Sequence, residues 1–307
     1  MTTRARDFLL VVTLAASAAT PAPAQTTAPA TGPAGSAAQG SIPDISGVWR
    51  HMSLPGFEPL PSGPRPVTNR SRNNGVSNYN QLVGDYTNPI LKPDAAAKIK
   101  KLGELSLQGV TFPSPANQCW PEPVPYIYKN FGVLILQQPH EVTLLYDEAQ
   151  EFRKVRLNEA HPAQVTPSWH GDSVGHYEGD TLVVDTVGIN ADRPYAMIDL
   201  FGTPYTKALH VVERYRMIDY ETAKEGLERD KRENMLPPGS INPNYKGKHL
   251  QLYFTIEDEG VFTMPWSATI TYRGGTTDWQ EIVCAENTHE YYNNKDSDIP
   301  KADKPDF

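Results

Sequence analysis

Cysteine and positive charge are both scarce in this chain. Its 307 residues include only two cysteines, and 36 acidic residues outnumber 28 basic ones, for a formal net charge of −8. Binding to nucleic acid requires a basic face that displaces counterions from the phosphates. The acidic balance therefore argues against a nucleic-acid partner.

Long apolar runs are also lacking. The run at 8–19 is shorter than the about 20 apolar residues that span a bilayer, and no other segment approaches that length. Arg4 and Arg6 precede the run, and Ala-Pro-Ala at 22–24 offers a small-residue cleavage site. Residues 1–24 are therefore predicted to be a signal peptide, which makes the mature protein periplasmic or secreted, without membrane insertion after cleavage.

Motifs for cofactors and metals are missing as well. There is no glycine-rich phosphate loop, no H-E-x-x-H, no H-x-H and no closely paired cysteines. We therefore predict no nucleotide cofactor and no metal. One alternative is a metal held by some of His161, His170, His176, His210 and Asp172, although histidines that are hydrogen-bonded at the rim of the fold are favoured.

Composition divides the chain into a central domain with two tails. Residues 25–40 are almost wholly Ala, Thr, Pro, Gly, Ser and Gln, and are predicted to form a disordered linker because they cannot bury enough apolar area. Residues 293–307 mix Lys, Asp and Pro and are predicted to be a flexible tail. Residues 41–292 remain as a single domain, with no internal linker.

Cys119 and Cys284 lie far apart in sequence. In an exported chain, the oxidising compartment favours a disulfide between them that closes a long loop. A two-cysteine metal site and free thiols are the alternatives.

Short β-branched and aromatic runs dominate from residue 131 onward. They occur at 133–137, 142–146, 152–157, 173–177, 181–187, 209–217, 250–256 and 268–272. Such runs, separated by short turns, are typical of an antiparallel meander. We therefore predict an all-β fold, an antiparallel lipocalin-like β-barrel with one or two short peripheral helices. The helical patterns are at 93–102 and 220–232, and the proline-rich arm at 54–66 is predicted to be an ordered wrap or lid.

The segment 169–186 is the densest in chemically useful side chains, with two histidines, four acids and a serine between glycines. Its Gly-Asp-Ser-Val-Gly sequence at 171–175 matches the G-x-S-x-G motif of serine hydrolases. That motif requires a strand, a sharp turn and a helix, whereas here strand follows strand. The favoured interpretation is that Gly171 and Gly175 let the backbone bend at a barrel rim, and a hydrolase using Ser173 is an alternative.

Two acids are candidates for proton transfer inside the barrel. In 209–217, the period of two places Glu213 on the more apolar face, where burial would favour its protonated form and suit it to general acid or base work. The alternative is a structural ion pair with an arginine from an adjacent strand. Asp185 shares a face with Thr181, Val183 and Val187, and is a second candidate for an inward acid.

Several segments together resemble a family of uncharacterised secreted proteins from proteobacteria and acidobacteria. The resemblance lies in 43–49, 119–121, 209–216, 284–287 and the central W-x-G-x-S-x-G-x-[WY]-E-G-D-T-L-V-V-D-T motif at 169–186. It covers most of the mature chain and implies a secreted β-rich domain, but it supplies no catalytic residues. This chain has Tyr177 where tryptophan is usual, and Glu259 where proline is common.

The function predicted from these features is binding of a small, partly apolar molecule, in a cavity entered near His161 and 169–176. Cofactor-free acid/base chemistry, of isomerase, hydratase or lyase type, is an extension in which Glu213 or Asp185 moves protons and His170 or His176 assists. The candidate ligand-binding residues are Trp169, Asp172, Ser173, His161, Tyr177 and Arg214. The alternative from a different class is a structural or interaction protein of the cell envelope, and the sequence identifies no protein partner.

Overall fold

The computed structural model describes residues 42–57, 59–147, 151–193, 195–233, 242 and 244–275. Its strands are β1 (Gly47–Arg50), β2 (Arg72–Asn73), β3 (Val76–Ser77), β4 (Gly132–Gln137), β5 (Glu141–Tyr146), β6 (Phe152–Leu157), β7 (Asp172–Glu178), β8 (Thr181–Val187), β9 (His210–Ile218), β10 (His249–Glu257) and β11 (Trp266–Gly274). Its α-helices are α1 (Pro93–Leu107) and α2 (Tyr220–Glu233).

Nine strands close into a barrel, in the order β1-β11-β10-β9-β8-β7-β6-β5-β4. Every neighbouring pair is antiparallel except β6 and β7, which are parallel. The predicted all-β barrel with two helices is confirmed, but the prediction that its sheet is wholly antiparallel is wrong. A closed ring with an odd number of strands cannot alternate in direction all the way round, so at least one parallel pair is unavoidable.

The parallel pair forms a seam that is only partly closed. Within these two strands, the paired positions are Arg156 with Val174 and Leu157 with Gly175, both at the C-terminal end of β6. The N-terminal half of β6 therefore diverges from β7. Residues 158–171, which we call the crossover segment, return the chain so that β7 can run parallel to β6.

Alternate residues of the barrel strands point inward and form one apolar core. In β9, Val211, Glu213 and Tyr215 are buried, as the period of two predicted. The inward aromatic and aliphatic side chains from other strands include Trp49, Leu144, Val155, Val184, Leu252, Phe254 and Ile270. Side chains thus fill the barrel, as in other barrels of similar strand number.

The arm that follows β1 packs into the barrel. Its Phe57 is buried, with its ring centroid 4.9 Å from that of Phe254 and 6.1 Å from that of Trp266. The predicted ordered wrap is therefore present where the arm is described. Both predicted helices also occur: α1 has Pro93 in its first turn, and Asp219 accepts a hydrogen bond from the Thr222 amide at 2.8 Å to cap α2.

Residues 1–41 and 276–307 are outside the described residues. The predicted signal peptide, the predicted linker at 25–40, the predicted C-terminal tail and Cys284 all fall there. The export signal and the disulfide between Cys119 and Cys284 accordingly stay predictions. In the described part of the chain, neither helix is long and apolar enough to cross a membrane.

Candidate functional site

A buried ion pair crosses the barrel interior. Arg153 on β6 binds Glu213 on β9 through both terminal guanidinium nitrogens, with Nη1 2.9 Å from Oε1 and Nη2 bonded to Oε2. Tyr215 donates a further hydrogen bond to Oε1 at 2.6 Å. Glu213 is therefore buried as predicted, but its arginine comes from β6, which is three strands away round the barrel, and not from an adjacent strand. Because both carboxylate oxygens are occupied, the arrangement is that of the structural alternative.

Two hydroxyl groups complete the coordination of Arg153. Its Nε donates to Ser173 Oγ at 2.9 Å and its Nη2 donates to Thr186 Oγ1 at 2.6 Å, while the two hydroxyl oxygens are 3.0 Å apart. Within the described residues, these are the hydrogen-bonding partners of the Ser173 hydroxyl. Neither a guanidinium nor an alcohol is a base that would activate a serine, so Ser173 lacks the geometry of a nucleophile.

Three tyrosines surround the ion pair and remain neutral. Burial raises the pKa of Tyr146 to about 12, and burial and the Glu213 carboxylate raise the pKa values of Tyr128 and Tyr215 well above the usual range. The cluster therefore holds one positive and one negative charge among neutral phenols. This balance favours a rigid internal frame over proton transfer.

Arg153 is the residue that sequence reasoning missed. Alternation along β6 places it on the same face as Val155 and Leu157, both of which are apolar. An arginine at an inward position predicts a buried partner, because an unpaired charge in a core is costly. That signal was present in the sequence but did not indicate which acid would pair with it.

Asp185 points outward, so the prediction that it is an inward acid is wrong. The inward residues of β8 are Leu182, Val184 and Thr186, which are 0% exposed. Asp185 Oδ1 instead lies 3.1 Å from His161 Nε2 and 3.1 Å from His210 Nε2. These hydrogen bonds, with His210 as the larger cause, lower the pKa of Asp185.

The contacts of Asp185 belong to a chain of alternating acidic and basic side chains on the barrel exterior, which we call the outer-wall network. His161 Nδ1 lies 2.6 Å from Asp172 Oδ2, and Arg156 donates to both oxygens of Asp172 at 2.7 and 3.0 Å. At the other end, His210 Nδ1 lies 3.1 Å from Glu257 Oε2. The network comprises Arg156, Asp172, His161, Asp185, His210 and Glu257. Since His161 belongs to the crossover segment, the network ties that segment to the wall.

A cleft opens where β6 and β7 diverge, and we call it the seam cleft. Its volume is about 340 Å³ and it is lined by Phe152, Arg153, Lys154, Arg156, Ser168, Trp169, His170, Gly171, Asp172 and Ser173. Four of the predicted site residues, Trp169, His170, Asp172 and Ser173, therefore lie together. Two buried residues, Arg153 and Ser173, are also among those that line the cleft.

The wall of the seam cleft is shaped by a tight turn before β7. Gly171 has a φ of +73°, and a Cβ atom there would lie 2.6 Å from the Val187 carbonyl oxygen, so the turn requires glycine. This turn presents Trp169, which is 38% exposed and carries the Arg193 guanidinium 4.3 Å from its ring centroid. The neighbouring His170 Nε2 lies 3.0 Å from Glu151 Oε2.

The remaining predicted residues lie toward the other end of β7. His176 Nε2 is 3.1 Å from Glu178 Oε1, and Arg214 donates to the other oxygen of Glu178 at 2.6 Å, all on the exposed surface. The Tyr177 hydroxyl accepts a hydrogen bond from Gln137 Nε2 at 2.7 Å. The structure does not bring these three residues to the seam cleft.

A second cavity, of about 420 Å³, lies among the arm, the end of α1 and the entry to β4. It is lined by Ser53, Tyr79, Asn80, Leu82, Ser106, Gly109, Val110, Thr111, Phe112, Ser114, Ala116, Asn117, Lys129, Phe131 and Leu200. Although it is the larger of the two, its only ionisable amine, that of Lys129, is bound to Glu122 at 3.4 Å and Asn130 at 2.7 Å. It contains none of the predicted site residues, four of which line the seam cleft.

Among the residues that the structure describes, no three His, Cys, Asp or Glu side chains are grouped so as to hold a metal ion. The chain matches no protein-family model, no curated protein and no solved structure. The resemblance to secreted bacterial proteins therefore stays a prediction, and function must be inferred from the geometry of the site.

Proposed function

We propose that the protein binds a small, partly apolar molecule in the seam cleft, in the manner of a lipocalin-like binding protein whose site lies in its wall. The observation that carries this proposal is the cleft itself, about 340 Å³ in volume, which is lined by the exposed Trp169 and by the buried Arg153. Its volume falls in the range of small-molecule sites, which combine apolar walls with a few fixed polar groups.

The apolar part of the cleft favours a ligand with a flat, hydrophobic group. Phe152 is 61% exposed and Trp169 is 38% exposed, and both line the cleft. Covering apolar surface of this kind contributes about 25 cal/mol per Å². Planar groups also gain from stacking on aromatic rings.

The polar part of the cleft is already organised before a ligand enters. Arg153 is held by Glu213, Ser173 and Thr186, and Asp172 is held by Arg156 and His161. A site whose polar groups are held in place loses little conformational entropy on binding. Because the acids are all paired, binding is better supported than acid/base catalysis.

A structural or interaction role in the cell envelope is the second candidate. The filled barrel interior and the paired Glu213 favour it, since both are expected of a scaffold. The two functions differ in one respect: a scaffold does not need an open cleft beside Trp169.

Native mass spectrometry tests the proposal directly. The full chain, expressed with its own N-terminal segment and purified without denaturation, is expected to retain a small molecule. Trp169→Ala is expected to lose it, whereas Tyr79→Ala, which removes an exposed aromatic ring from the larger cavity, is expected to keep it. A bare polypeptide in every case favours the structural role, and a ligand lost only from Tyr79→Ala would move the site to the larger cavity.

A further inference from the structure

We propose that the ligand of the seam cleft is an organic acid, in which a carboxylate is attached to a flat apolar group. This inference rests on the proposed function and concerns the same cleft. It is based on the charged residues that line the cleft and on how firmly each of them is bound to its ion-pair partner.

The cleft lining is positive in a chain that is negative overall. Arg153, Lys154 and Arg156 line it, and among the described lining residues Asp172 is the one carboxylate, whereas the chain as a whole carries a formal net charge of −8. Because Coulomb energy falls with distance, the nearest charges dominate the potential felt by a bound molecule. An anionic group is therefore favoured at this position over a cationic one.

The carboxylates that balance Arg153 and Lys154 lie outside the lining. Glu213 binds Arg153 from the barrel interior, and Glu141, on β5, lies 3.1 Å from the Lys154 ammonium. Neither Glu213 nor Glu141 lines the cleft. The counter-charges of Arg153 and Lys154 are therefore absent from the described lining of the cleft.

The three cations differ in how readily they can exchange a partner. Both terminal nitrogens of Arg156 are bound to Asp172 and its Nε to Glu159, while Arg153 is buried and bound to Glu213. Lys154 is different, because its side chain is 58% exposed and its pair with Glu141 is a surface pair. Such pairs contribute little to stability, so an incoming carboxylate can replace Glu141 at little cost.

This difference argues for a single carboxylate over a phosphate group. Bidentate recognition of phosphate relies on arginine forks whose donors are available for two parallel hydrogen bonds. Here the arginine donors are engaged, and the exchangeable donor is one ammonium. The apolar end of the acid would then lie against Trp169 and Phe152.

Two probes of the same shape and different charge test the inference. Phenylacetate has a carboxylate where phenylacetamide has a neutral amide, and their binding is measured by titration calorimetry and by the change in intrinsic tryptophan fluorescence. We expect phenylacetate to bind about tenfold more tightly at low salt, which corresponds to about 1.4 kcal/mol. The difference should shrink at 1 M salt, where the Debye length is about 3 Å.

Two lysine variants test whether Lys154 causes the preference for phenylacetate over phenylacetamide. Lys154→Gln is expected to weaken phenylacetate binding several-fold and to leave phenylacetamide unchanged. Lys100→Gln is the matched control, because Lys100 is also exposed and paired with a glutamate, at 2.6 Å from Glu104, but lies on α1 away from the cleft. It is expected to change neither affinity.

The outcomes separate this inference from the proposed function. Equal affinities for the two probes, both abolished by Trp169→Ala, would overturn the organic-acid inference and leave small-molecule binding in place. Phenylacetate binding that is unaffected by both Lys154→Gln and Trp169→Ala would place the acid elsewhere and overturn the inference. If neither probe binds and native mass spectrometry also shows a bare chain, both proposals fail.

Discussion

Arg153 shows how one side chain joins the barrel core to the seam cleft. Its guanidinium is bound to Glu213 in the interior, and the residue is also among those that line the cleft. The pair is separated by 60 residues in sequence, so its formation requires the barrel to close. Substituting either residue of the pair is therefore expected to change the stability of the whole domain.

Removing either partner of the buried pair should destabilise the fold. Glu213→Gln leaves a buried guanidinium without its counter-charge, and Arg153→Met leaves a buried carboxylate. Each is expected to lower the free energy of unfolding by about 3–5 kcal/mol. Urea denaturation followed by circular dichroism measures this loss.

The double variant Arg153→Met, Glu213→Leu is the control for this prediction. It removes both charges and is expected to recover most of the lost stability, because apolar pairs of similar volume can replace buried ion pairs. Single variants that lose less than about 1 kcal/mol would show a pair no stronger than a surface salt bridge, contrary to its burial.

At the scale of elements, the seam depends on a close approach between β6 and β7. Gly175 is paired with Leu157 there, and a Cβ atom at this position would lie 2.9 Å from Val155 Cγ1 and 2.9 Å from the Val183 carbonyl oxygen. The carbonyl belongs to the backbone of β8 and cannot move freely. A side chain at Gly175 would therefore push β7 away from its neighbours.

We expect Gly175→Ala to lower the free energy of unfolding by about 1–3 kcal/mol and to change the fluorescence of Trp169, since the cleft lies along the same seam. Gly179→Ala is the control, because a Cβ atom at this position would have open space around it. The substitution costs only the strain of placing alanine at a φ of +61°. Chemical denaturation and the emission spectrum of the folded protein check both effects. Identical emission spectra for Gly175→Ala and the wild-type protein would show that the cleft does not depend on the close approach of β6 and β7.

The strands themselves were predictable, whereas their arrangement was not. Alternation in 209–217 and 250–256 correctly predicted strands and the inward direction of Glu213. In β8 the same reasoning failed, because Val183 and Val184 are both apolar and both buried, so the pattern did not distinguish the two faces. Asp185 was assigned to the inward face for that reason.

At the scale of the whole molecule, the outer-wall network spans neighbouring strands and holds the crossover segment. His210 lies between Asp185 and Glu257, and its hydrogen bond to Asp185 is the main cause that raises its pKa to about 9. The pKa in the folded state exceeds the ordinary value of 6.5, so the folded protein holds this proton more tightly than the unfolded chain does. The stabilisation is complete below pH 6.5 and is lost as the pH rises through about 9.

We therefore expect the melting temperature to fall between pH 7 and pH 10 by more in the wild-type protein than in His210→Gln, which cannot take up the proton. Differential scanning calorimetry at several pH values measures this difference. His176→Gln is a suitable control, because His176 is also surface-exposed and bound to a glutamate, but lies outside the network. If the melting temperature falls equally with pH in the wild-type protein and in His210→Gln, the proton on His210 does not stabilise the folded state.

The sequence by itself determined the strands, the two helices and the position of one buried acid, because these follow from the local alternation of apolar and polar side chains. It also predicted a cavity entered near His161 and 169–176, and of these residues 169–173 line the seam cleft. Only the tertiary structure decided the parallel seam, the pairing of Glu213 with Arg153 and the outward direction of Asp185. These features depend on which strands become neighbours when the barrel closes, and that choice is made by packing across the whole chain.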